Sequence, residues 1–70
     1  MKYIVLEMQT NADGTVGTLL TSYDKLIEAE SKFFSILSAA ALSTLPVHTA
    51  MLLTNSGTML RVETFEHKGE

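Results

Sequence analysis

A helix whose apolar face is too broad for one small sheet constrains this chain more than any other feature. From roughly Asp24 to Ser43 the sequence keeps helical spacing. At about 100° per residue, Ile36, Ala29, Ala40, Phe33, Leu26, Leu37, Ala41, Phe34 and Ile27 fill about half the circumference. A helix resting on one sheet usually needs a narrower stripe. The excess predicts a second surface to cover, most simply another copy of the same chain.

The size of the chain points the same way. Its 70 residues make one domain, and a chain this short buries only about 60% of the surface its unfolded form exposes. Small domains commonly compensate with disulfides, a metal or oligomerisation. Cysteine is absent, which removes disulfides and thiolate metal sites together, and the two histidines, His48 and His67, lie apart. Oligomerisation remains as the expected support, and no cofactor is expected.

The strands follow from alternation and turn residues. Lys2 to Gln9 reads as a strand with Ile4, Leu6 and Met8 on one face and Tyr3, Val5, Glu7 and Gln9 on the other. Asn11-Ala12-Asp13-Gly14 is a turn signal, after which Thr15 to Thr21 either returns as a second strand or wraps the helix as a loop. Gly17 weakens the strand reading. Ser22 or Asp24 is placed to cap the helix, which must stop before Pro46. Val47 to Thr54 is the clearest strand, Asn55-Ser56-Gly57 a turn, and Thr58 to Glu66 an antiparallel return. In this last strand Leu60, Val62 and Thr64 share one face, and Met59, Arg61, Glu63 and Phe65 the other. His67 to Glu70 reads as a polar, frayed tail.

The expected fold is therefore α+β: ββαββ, or βαββ if the second strand fails, with one helix packed on one face of an antiparallel sheet. The expected core draws on Ile4, Leu6, Met8, Phe33, Leu37, Met51, Leu53, Leu60 and Val62. The pattern does not fix strand order, or which strand faces meet the helix.

Several function classes are disfavoured. A formal charge of −3 with dispersed cations, Lys2, Lys25, Lys32, Arg61 and Lys68, argues against nucleic acid as a partner. No apolar segment is long enough to span a bilayer, and no secretory signal is visible, so a cytoplasmic location is the default. Serines lack a GxSxG setting, and Asp13 to Thr18 lacks the spacing of a phosphate loop.

Glu30 is the candidate buried acid, falling between Leu37 and Ala41 inside the apolar arc. Arg61, His48 or a backbone donor would have to pair it, unless it sits at the rim of an interface. The hairpin turn near Ser56 puts His48 opposite Thr64 and His67 near Leu45, but without metal-ligand spacing both read as ordinary surface histidines.

The segments KYIVLEMQTNADGTVGTLLTSYD, EAESKFFSILSAAALS and PVHTAMLLTNSG resemble a group of short proteins of unknown function from Firmicutes and gut bacteria and from their phages or prophages. The resemblance spans nearly the whole chain and implies a small, cytoplasmic, phage-related accessory protein. It carries no catalytic or binding residues across. The leading expectation is a non-enzymatic protein-interaction module that forms a homodimer. Its contact would be the helix edge with Ile27, Phe34 and Ala41, or the sheet face with Met59 and Phe65. The alternatives are a phage-derived modulator binding a host protein, and a small-ligand carrier or enzyme using Glu30 and His48.

Overall fold

A computed structural model describes residues 1–67. The chain runs β1 (Tyr3–Thr10), β2 (Val16–Tyr23), α1 (Leu26–Leu42), β3 (Val47–Thr54) and β4 (Met59–Glu66). The four strands form one antiparallel sheet in the order β2-β1-β3-β4, with α1 across one face. This is the expected ββαββ arrangement, and Thr15 to Thr21 resolves as a strand rather than a loop.

Two glycine turns close the hairpins. Gly14, at φ +89°, ends a turn in which its N–H donates to Asn11 O at 3.0 Å and Asn11 N–H donates to Thr15 O at 2.8 Å. Gly57, at φ +93°, serves the β3–β4 turn, where Thr54 N–H donates to Thr58 O at 2.9 Å. Both conformations are ones that glycine adopts without steric cost.

The helix takes its N-cap at Lys25, without a side-chain hydrogen bond, instead of at Ser22 or Asp24. Ser22 stays in β2 opposite Ile4, and Asp24 is drawn into an ion pair with Lys2. At the other end Ser43 is the C-cap, its N–H donating to Ala40 O at 3.2 Å. His67 is not frayed: its N–H donates to Pro46 O at 2.9 Å, and its Nε2 lies 3.1 Å from Ala40 O. Because a carbonyl only accepts, Nε2 carries the hydrogen, and the imidazole satisfies an exposed end of the helix ladder. Lys68 to Glu70 lie outside the described residues.

The main correction concerns the core, and with it the sheet face that the helix covers. The core is Val5, Ala29, Phe33, Ile36, Ala40, Ala50 and Leu52, with Tyr3, Tyr23 and Leu37 packed around it. Ile4, Leu6, Met8, Met51 and Leu53, expected in the core, lie on the opposite face with Val62, because they alternate with Val5 and Leu52 along the same strands. Topology accounts for the choice. β2 and β3 are each antiparallel to β1, hence parallel to one another, and α1 carries the chain between them over β1. Such crossovers are right-handed in about 98% of cases, so handedness selects the covered face whichever face is more apolar.

A second correction comes from β4. The register expected from the turn holds at Leu53↔Met59, then a bulge between Leu52 and Leu53 shifts it, so that Leu52 meets Arg61 and His48 meets Phe65. Thr64 therefore faces Thr49, not His48. One extra residue reverses the faces on either side of it. Met59 joins Val62 and Thr64 on the open face, while Arg61, Glu63 and Phe65 turn to the helix side. Leu60, in the bulge, lines a groove there with Phe33 and Phe34.

Candidate functional site

Two features stand out from this scaffold, a polar cluster beneath the helix and an apolar surface on the other side of the sheet. The cluster arises because β1 and β3 are the central strands. Gln9 sits opposite His48, and Glu7 lies one pair further along the same face. His48 is 3% exposed, contrary to the expected surface position. Its Nε2 lies 2.6 Å from Glu7 Oε2, and Gln9 Nε2 donates to the same oxygen at 2.8 Å.

Burial pushes the Glu7 carboxyl upward. The hydrogen bonds from Gln9 and His48, with the charges of His48 and Lys32, outweigh it and hold the group below its ordinary value. Glu7 is therefore ionised near neutrality and accepts from Nε2–H. His48 Nδ1 is buried without a hydrogen-bond partner. A hollow of about 270 Å³ adjoins the cluster at Glu7, Gln9 and Leu19. Among the described residues no three His, Cys, Asp or Glu side chains converge to hold a metal ion.

Glu30 is half-buried rather than enclosed, and its Oε2 lies 3.5 Å from Arg61 Nη2. Arg61 was one of the expected partners. The guanidinium also lies over the Phe34 ring, 5.4 Å from its centroid, and Phe34 meets Phe33 edge to face at 5.4 Å. Glu30 and His48 thus have different partners and are not joined by a hydrogen bond. The acid that shares a site with His48 is Glu7, which sequence reasoning missed. Its polar neighbour Gln9 on the same strand face was visible, but the central position of β1 was not.

The open face of the sheet is the larger feature. Ile4, Leu6, Met8, Val16, Leu20, Val47, Met51, Leu53, Met59 and Val62 lie on it, interspersed with serine and threonine. Leu20 is 61% and Val62 50% exposed. Among the described strand residues the one charge on this face is Glu66, at the end of β4.

The expected contact residues are dispersed by the fold. Met59 belongs to the open face and Phe65 to the helix side, so the two do not form one surface. Ile27, Phe34 and Ala41 are all exposed along the helix, Ile27 at 74%. Ile27 borders a groove with Tyr23, whereas Phe34 borders another with Leu60 and Phe65. No helix of the described residues is long and apolar enough to cross a membrane. Set against protein-family models, curated proteins and solved structures, the chain matches none.

Proposed function

We propose that the protein is a non-enzymatic interaction module that associates with a second copy of itself through the open face of its sheet. The main support is that face itself: apolar across all four strands and almost without charge. Antiparallel sheets with one solvated face alternate apolar and polar residues, and this face departs from that rule. Four strands of eight residues cover about 500 Å² in projection, from spacings of about 4.8 Å between strands and 3.3 Å along them. A face of that extent is in the range of the largest apolar patch on a typical monomer, and such patches often mark an interaction site. Each partner in a standard interface contributes about 800 Å² of corrugated surface, a comparable extent.

Two such faces would stack about 10 Å apart, with a helix on each outer side. The contact is isologous, so one patch serves both partners and closes at a two-fold axis. Glu30 and His48, held by separate partners, lend no support to an enzyme or carrier. The resemblance to short phage and prophage proteins favours a cytoplasmic accessory role.

Light scattering from micromolar to millimolar concentration tests the assignment. The expected mass is at least two chains, halved by Met51→Lys at the centre of the face and unchanged by Phe34→Glu on the helix. A single chain at every concentration overturns the reading and leaves the face to a different protein, as a modulator of a host protein would use it. An unchanged mass for Met51→Lys moves the contact elsewhere.

A further inference from the structure

Building on the reading of the protein as a self-associating module, we infer that β2 is a second self-association site, where its free edge pairs antiparallel with β2 of another copy and joins two sheets into one. The hydrogen-bond alternation identifies the groups available. Asn11 N–H donates to Thr15 O, so that pair is hydrogen-bonded and the next, Thr10↔Val16, is not. Counting on, Gly17, Leu19 and Thr21 direct their backbone groups to β1, while Val16, Thr18, Leu20 and Ser22 direct theirs outward. The far side of β1 agrees, since Lys2 O accepts from Asn55 N–H on the β3 side at 3.0 Å.

An outward row of this kind is satisfied by another extended strand, and proteins usually guard against it with charges, proline or a bulge. β4, the opposite edge, has such guards in Arg61, Glu63, Glu66 and its bulge. β2 (VGTLLTSY) has neither charge nor proline. It also projects beyond the helix, so that Leu19 on one face and Leu20 on the other are 55% and 61% exposed.

A second copy of β2 answers each of these features. An uncharged strand meets itself across a two-fold axis without like-charge repulsion. Antiparallel self-pairing centred on Leu19 sets that residue against its counterpart on one face and Leu20 diagonal to its counterpart on the other, covering apolar surface on both faces. The axis runs along the sheet normal, perpendicular to the axis of the face contact, and with the face axis running across the strands to meet it the two together close a tetramer.

Amide exchange by NMR and light scattering test the edge separately from the face. The wild type is expected as a tetramer in which the Leu20 and Ser22 amides exchange roughly tenfold or more slowly than in an open strand. Thr18→Pro removes an outward N–H and leaves the ladder to β1 intact, so it is expected to give dimers with fast Leu20 and Ser22 amides. Leu19→Lys, which spares the open face, is expected to do the same should the proline variant fold poorly. Met51→Lys is expected to give dimers that keep the slow amides. Fast Leu20 and Ser22 amides in a wild-type dimer overturn the edge contact and leave the face contact standing. Slow amides with a mass that Met51→Lys does not change uphold the edge and overturn the face.

Discussion

The two faces of this sheet invert the usual division of labour. The face beneath the helix holds the apolar contacts of Val5, Ala50 and Leu52, yet also Glu7, Gln9, His48, Arg61 and Glu63. The face away from it is built of aliphatic and methionine side chains interspersed with serine and threonine, with Glu66 the one charge among the described strand residues. A solvated face gains nothing from such a composition, since each exposed leucine forgoes about 1.5–3 kcal/mol of burial. The difference teaches that a covering element is placed by connectivity as much as by hydropathy. The helix goes where the crossover sends it, and the apolar surplus is left where a second chain can use it.

Leu52 and Leu53 give the sharpest test, because they are neighbours that point to opposite faces. Leu52→Ala is expected to cost about 2–5 kcal/mol, since the residue is fully buried under the helix. For a domain of this length, total stability on the order of 4–10 kcal/mol leaves little after such a loss. This cost should not depend on protein concentration. Leu53→Ala should cost about 2 kcal/mol at high concentration and less on dilution, because in the proposed assembly the surface it loses is shared with a partner. Urea midpoints across a hundredfold concentration range measure both. A concentration-independent cost for Leu53→Ala would mean that the open face stays open.

The polar pair on the covered face breaks the comparison from the other side. Removing one partner, as in His48→Ala, leaves the Glu7 carboxylate half-buried and should cost about 1–3 kcal/mol. Replacing both with apolar groups of similar volume, Glu7→Met with His48→Phe, should recover most of that loss. Chemical denaturation of the two variants and the wild type decides it. If the double variant is no better than the single one, the pair has a positioning role that packing does not replace.

The elements themselves are legible in the sequence because their signals are local. Alternation gives β1 and β3, Asp13-Gly14 and Ser56-Gly57 mark turns, and the spacing of Ala29, Phe33, Ile36 and Ala40 gives the buried helix stripe. The covered face is not legible, because Ile4, Leu6 and Met8 look like a better core than Val5 alone and the handedness of a crossover leaves no mark on composition. Nor is the site around Glu7. His48 reads as a surface residue until strand order places β1 and β3 at the centre, and the bulge at Leu60 then moves Phe65 opposite it. Met59 and Phe65 share a face by simple alternation; one inserted residue separates them.

The smallest expected effect, on acid stability, separates covered from exposed charge. Glu7, Asp13 and Asp24 are all held below their ordinary values. Hydrogen bonds from Thr15 lower Asp13, and those from Lys2, together with its charge, lower Asp24. In each case the unfolded chain binds more protons than the folded one over the interval just below the ordinary carboxylate value, 4.5 for glutamate. Their stabilisation is therefore present above that interval and is lost as the pH falls through the folded values. Urea midpoints between neutrality and pH 3 should fall with acidity, and Glu7→Gln should flatten part of that slope. Added salt should flatten the Asp24 share, because its pairing with Lys2 lies in solvent, and spare the Glu7 share beneath the helix. An acid slope that salt abolishes entirely would place the titrating charge at the surface and deny Glu7 its protected position.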